Sequence, residues 1–253
     1  MSVPILMYHH VLPTAGFISS SVAQFGEQMQ WLVDHGWHTL DSATFRDYKL
    51  QRRPLPERSL LITFDDGWRD NLIYAYPILK ALRLRATLFV VTGWIDAASA
   101  AAADYQPRQH KECKRLAPVA PRAVLLNWEE LAAMQDVFDI HPHTHTHRDD
   151  YFGSLDWGED LLRSRARIEA ELGHRSTHLC WPRGVYAQEQ LDLAQSIGFD
   201  MLYTTERGAN VDDGDGRRLH RLAAKEGQRW LHRNLWIARH APLARLYARF
   251  KPE

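Results

Sequence analysis

A disulfide framework is excluded at the outset, because the 253 residues include only two cysteines, Cys113 and Cys180. Two thiols are also too few for a Cys-rich zinc site. No stretch approaches the roughly 20 apolar residues of a membrane span. The opening MSVPILMYHH has no basic segment ahead of its short apolar run, so it reads as a first strand rather than an export signal. On that reading the chain is expected in the cytoplasm, at most peripheral to the inner membrane. There is no G-x-G-x-x-G after the first strand and no G-x-x-x-x-G-K-[ST], which removes support for nucleotide-binding chemistry. Neither sign of charge is in excess, since 31 Lys+Arg balance 31 Asp+Glu. A hydrophobic fraction of 45% is that of a folded chain with one sizeable core, not of a disordered one.

What is present is unevenly placed. Histidine occurs 14 times, in clusters. From Arg217 to Glu253 there are eight Arg and two Lys against two Glu, so the neutral whole hides a basic tail. Along the chain, strand and helix patterns alternate. Strands are predicted over 4–8, 60–64, 86–91, 137–140, 179–181 and 199–203, and helices over 22–35, 70–82, 128–136, 155–172 and 187–197. The segment 96–122 is Ala-rich, then basic, with no clear period, and is expected to be a lid or mobile insertion. Alternation of this kind predicts a parallel α/β fold, either an open sheet or a barrel. The unusual polar residues all fall at strand C-terminal ends, where a barrel carries its site.

Asp65 and Asp66 follow the apolar run Leu60–Phe64 directly. Asp-Gly is a common turn pair, and that is the plain reading. Two adjacent buried carboxylates repel, however, and a cation beside them would relieve the repulsion. His141, His143, His145 and His147 place four imidazoles within seven residues. A solvated or pH-sensitive loop is the plain alternative. A metal-binding tract explains the density better. The pairs 143/147 and 141/145 share the same spacing, and periodicity does not choose between them. Two imidazoles and one carboxylate form a catalytic metal set with an open position for water. Asp66 fits the carboxylate, which leaves Asp65 as a base.

Thr63-Phe64-Asp65-Asp66-Gly67 resembles the first motif of the polysaccharide deacetylases (carbohydrate esterase family 4), and His143-Thr144-His145-Thr146-His147 resembles the second, H-[ST]-x-x-H. Ile5-Leu6-Met7-Tyr8-His9 and Asn127-Trp128-Glu129-Glu130-Leu131 are similar to segments of the poly-N-acetylglucosamine deacetylase branch. The resemblance covers about residues 3–205. It implies a distorted (β/α) barrel as a single domain, with a catalytic barrel over 1–215 and a basic amphipathic extension over 216–253. It selects Asp66, His143 and His147 as metal ligands and Asp65 as the base. The implied cofactor is one divalent ion, Zn²⁺ by default, with Co²⁺, Ni²⁺ or Fe²⁺ also suited to these donors. Cys180-Trp181-Pro182-Arg183-Gly184 stands where much of the family has R-x-P-[FWY]-G, so the arginine that orients the base is missing from this motif. Trp181, Pro182 and Arg183 are expected to contact substrate. Leu219-His220 matches the family's late acid motif weakly, and His9 competes with His220 as the general acid.

The implied reaction removes the N-acetyl group of an N-acetylhexosamine in a polysaccharide, lipopolysaccharide-core or lipid-linked glycan of the cell envelope, releasing acetate. The alternatives are a related amidohydrolase acting on a cyclic imide or purine, and an inactive carbohydrate-binding relative. In the tail, Leu243, Leu246, Tyr247 and Phe250 fall at helical spacing among arginines. This predicts a basic amphipathic helix that either packs on the barrel or lies on an anionic membrane surface. No motif supports a nucleic-acid partner. The sequence does not indicate an oligomeric state.

Overall fold

Among the described residues ten strands follow one another as β1 (Ile5–Tyr8), β2 (His10–Leu12), β3 (Ser19–Ser21), β4 (His38–Thr39), β5 (Ser59–Phe64), β6 (Ala86–Val90), β7 (Phe138–Pro142), β8 (His178–Cys180), β9 (Met201–Tyr203) and β10 (Leu222–Ala223). The structure is a computed structural model and describes residues 1–148, 156–225 and 227–250. The main sheet runs β10-β1-β5-β6-β7 with β4 added to the start of β5, and every pair in it is parallel. β8 and β9 form a second parallel pair. A bridge from Tyr203 to Leu219 links that pair to the approach to β10. Among the described residues no ladder joins β7 to β8. Side chains close that seam instead, with His174 Nε2 donating to the Ile140 carbonyl (2.9 Å) and His141 Nδ1 bonded to Ser176 Oγ (2.8 Å). The result is the expected distorted barrel.

β1, β5 and β6 are buried along their whole length because both faces are covered, which is why they read as unbroken apolar runs. Ile5, Leu61, Phe89, Met201 and Tyr203 point inward and form one core. Their neighbours Leu6, Ile62, Leu88 and Val90 point outward against the helices.

The helices are α1 (Val22–Asp34), α2 (Ser42–Gln51), α3 (Tyr76–Ala81), α4 (Thr92–Ser99), α5 (His110–Leu116), α6 (Trp128–Ala133), α7 (Trp157–Leu172), α8 (Gln188–Ile197), α9 (Gln228–Arg239) and α10 (Ala241–Phe250). The helix predicted over 70–82 divides into a π-helical turn, Asn71–Ala75, and α3. Pro77 has no N–H to continue an α ladder, and the turn before it is wound wider. Residues 101–109 of the 96–122 segment carry neither helix nor strand, but the segment as a whole is built into the fold. It contains the end of α4, all of α5 and a 3-10 turn, and Ala98, Cys113, Ala117, Val124 and Leu125 pack around the fully buried Trp68. Its short helices are too brief to show a period in sequence. The barrel also passes the expected boundary at 215/216, because Leu222 and Ala223 pair with Leu6 and Met7 of β1. No helix among the described residues is long and apolar enough to cross a membrane.

Candidate metal centre and its cleft

Three strand ends meet at the site. β5 delivers Asp65 and Asp66, β7 leads into the histidine loop, and β1 ends next to His9. Asp66 lies in the left-handed region (φ 78°), followed by Gly67 (φ 88°), so the chain turns sharply as it leaves β5. Non-glycine residues rarely adopt this conformation, and the surrounding contacts must hold it. Trp68 Nε1 donates to Asp66 Oδ2 (2.9 Å), which leaves Oδ1 facing the histidines. The loop itself is fastened from two sides. The amides of Thr92 and Gly93 at the start of α4 donate to the carbonyls of Thr144 (3.2 Å) and His145 (2.9 Å). Asp160 on α7 accepts from the His145 amide (2.8 Å), the Thr146 amide (3.1 Å) and the Thr146 hydroxyl (2.7 Å).

Asp66 Oδ1 lies 3.5 Å from His143 Nε2 and 3.3 Å from His147 Nε2, and all three side chains are buried. Bonds of about 2.0–2.1 Å to a tetrahedral ion place its ligands roughly 3.3–3.4 Å apart, so these separations suit a shared small cation. His143 Nδ1 donates to the Cys180 carbonyl (2.8 Å), and this turns Nε2 toward the site as an acceptor. Burial, above all, pushes the His143 imidazole down to about 4, so it is neutral with its lone pair available. Burial alone would raise the Asp66 carboxyl. The neighbouring imidazoles, His147 foremost, outweigh it and hold that carboxyl well below the usual range.

A second trio, Asp65, His143 and Cys180, is also close enough to share an ion. It is the poorer set. Burial raises the Cys180 thiol well above its ordinary value, so it stays protonated. Asp65, moreover, is already paired. Arg221 Nη1 and Nη2 donate to its two oxygens at 2.7 and 2.8 Å. The remaining Arg221 donors reach the Thr204 carbonyl (2.7 Å), Thr63 Oγ1 (3.3 Å) and Cys180 Sγ (3.1 Å). Burial would raise the Asp65 carboxyl, but the guanidinium prevails and lowers it.

The 180–184 motif offers Asp65 no arginine; its guanidinium partner comes instead from the segment entering β10. Sequence reasoning overlooked it because Arg221 is one of eight arginines in the basic tail. Its one distinguishing mark is its place between the apolar residues Leu219 and Leu222 in a strand-like run.

His9 Nε2 is 3.8 Å from Asp65 Oδ2, and its side chain is 20% exposed, so it reaches solvent in the cleft. Burial lowers its pKa, against the opposing pull of Asp65 and Asp66. The cleft has a volume of about 350 Å³, within the range of small-molecule sites. His9, Asp65, Asp66, His143 and His147 line it together with Phe17, His110, Lys114, Arg183 and Thr205. His220 is not among its lining residues; its backbone amide and carbonyl bond to the Asn210 side chain instead.

Of the three expected substrate contacts, Arg183 is exposed at the cleft. Trp181 is fully buried, packed with Leu161, Leu191 and Phe199 between the barrel and α7 and α8, and Pro182 is buried beside it. Neither presents a surface to a sugar. His141 bonds Ser42 and Ser176 inside the barrel, and His145 bonds Thr92 Oγ1 (2.8 Å), so neither belongs to the Asp66 group. His10, unassigned by sequence, is fully buried between Asp70 Oδ2 (2.8 Å) and His110 Nδ1 (3.2 Å), which ties α5 to the site.

The polysaccharide deacetylase family model matches residues 52–202. The Bacillus subtilis (strain 168) protein YxkH is 28% identical over 226 residues, covering 88% of this chain and 72% of that protein. The Escherichia coli (strain K12) poly-β-1,6-N-acetyl-D-glucosamine N-deacetylase is 24% identical over 244 residues, covering 83% of this chain and 35% of the enzyme, so the chain spans about a third of that relative. The solved structure of IcaB from Ammonifex degensii shares the fold at a TM-score of 0.73 and 20% identity, covering 94% of this chain and 97% of that one.

Proposed function

This chain belongs to the polysaccharide deacetylase family, and we propose that it removes the N-acetyl group from an N-acetylhexosamine within a glycan. The observation that carries the reading is the division of labour between two adjacent carboxylates in one cleft. Asp66 joins His143 and His147, while Asp65 is held apart by Arg221.

Asp66, His143 and His147 would hold a divalent ion, and their mixed oxygen and nitrogen donors suit Zn²⁺ first. Such an ion would supply a Lewis acid for the acetamide oxygen and make water a competent nucleophile near neutral pH. The chain's own groups do the rest. Arg221 fixes the plane of the Asp65 carboxylate, which takes the proton of the attacking water. His9, reaching solvent across the cleft from Asp65, donates a proton to the amine as the C–N bond breaks. Acetate and a free amino sugar leave. Arg183, Lys114 and Thr205 place polar groups where sugar hydroxyls would lie.

The test is metal analysis of the purified protein together with acetate release from a panel of N-acetylated monosaccharides and oligosaccharides, with a cyclic imide and a purine alongside. Metal-dependent acetate release from the sugars is the expected result. Turnover confined to the imide or purine would replace this reading with the amidohydrolase one. Metal without turnover on any member would leave a glycan-binding protein.

A further inference from the structure

The two C-terminal helices carry a surface that lines no part of the cleft. Residues 228–250, which form α9 and α10, contain five arginines and no acidic residue. α9 packs on the barrel through Leu231, Leu235 and Ala238. α10 does not follow it inward, and among its residues only Ala244 is buried. Leu243, Leu246 and Phe250, at i, i+3 and i+7, form one stripe that is 36%, 50% and 78% exposed. Arg245 and Arg249 flank that stripe, and Trp236, 51% exposed, stands just before it on α9.

Beside Trp236 lies a hollow of about 160 Å³. Arg58 and Arg239 line it, with Trp31 and Trp37 among its walls and no acidic residue. Two guanidiniums in an aromatic hollow complement a phosphate. The hollow and the start of α10 lie near the N-terminal ends of β5 and β1. Arg58 directly precedes β5, and the Ser2 amide, at the entry to β1, donates to the Arg239 carbonyl (3.1 Å).

We propose that this face docks on a lipid bilayer bearing anionic headgroups. The stripe of Leu243, Leu246 and Phe250, with Trp236, enters the headgroup boundary, and the arginines face lipid phosphates. An apolar stripe exposed to water is unfavourable, and a unipolar basic flank repels itself. An anionic interface satisfies both at once. The docking does not depend on the deacetylase reading.

The experiment is co-sedimentation of the full chain with phosphatidylcholine vesicles, with and without phosphatidylglycerol, at low and high salt. Binding to the anionic vesicles alone, weakened by salt, is expected. The pair Leu246→Ser and Phe250→Ser, and separately Arg245→Glu with Arg249→Glu, should each reduce that binding about tenfold or more. Metal content and turnover on a soluble substrate should stay unchanged, which shows that the variants are folded. Three results would overturn the proposal: equal binding to neutral vesicles, no binding to anionic vesicles at low salt, or a solution dimer that Leu246→Ser and Phe250→Ser dissociate.

Discussion

Arg221 is 156 positions from Asp65 in the chain, yet it donates to both oxygens of that carboxylate inside the barrel, at 2.7 and 2.8 Å. The pair separates the two aspartates chemically. Asp65 is pinned by a permanent cation, while Asp66 turns one oxygen to both His143 and His147. Two carboxylates in sequence thereby acquire two environments.

The first prediction concerns that separation. Asp66→Ala, His143→Ala and His147→Ala should each lose bound metal and activity together. Asp65→Asn should keep the metal and lose about 10²–10⁴-fold in kcat. Elemental analysis beside turnover on one N-acetylated oligosaccharide checks both. An active Asp65→Asn enzyme would refute the base assignment.

Arg221→Ala leaves a buried carboxylate without its partner, at a cost of about 3–5 kcal/mol. Burial then dominates at Asp65, so its pKa rises and the acidic limb of kcat/KM moves to higher pH. Arg221→Lys keeps the charge but loses the two-pronged geometry, and it should recover part of the stability with little of the rate. Denaturant midpoints and pH–rate profiles of the two variants separate these effects.

Gly93 is required by the histidine loop. A Cβ there would lie 2.6 Å from the His145 carbonyl oxygen. Gly93→Ala should push the loop away from α4, destabilise the fold by about 1–3 kcal/mol and weaken metal binding. Asp160→Ala, which removes three hydrogen bonds from residues 145–146, should weaken metal binding from the other side. Metal titration by calorimetry reads both.

His178 supplies a pH dependence remote from the reaction. It is buried, stacked on His141 at 4.5 Å, with Nδ1 3.0 Å from the Tyr203 hydroxyl. Burial, with the repulsion of Arg46 and His174, pushes its pKa down to about 3. The folded value thus lies below the unfolded one, near 6.5. The unfolded chain therefore takes up the proton first, and stability is lost as pH falls from about 6.5 toward 3. His178 alone should account for about 2 kcal/mol between pH 6.5 and 5. Unfolding midpoints across that range should fall less steeply for His178→Gln than for the parent chain.

The residues settled a good deal without coordinates. Thr63–Gly67 and His143–His147 each hold their candidate site residues within a few positions of one another, so a short stretch of chain limits where those side chains can go. The unbroken apolar run over 60–64 announced a buried strand, and the run over 86–91 the strand after it. What stayed hidden depended on distance through space. The cleft-lining role of α5, the burial of Trp181, and the confinement of His141 and His145 to other partners follow from which way each strand or loop faces once packed. A run of residues does not record that. Arg221 is the sharpest case. In sequence it is an arginine in a basic tail, and only the closing of the barrel past β9 puts its guanidinium, desolvated and fully donated, against the one carboxylate that needs it.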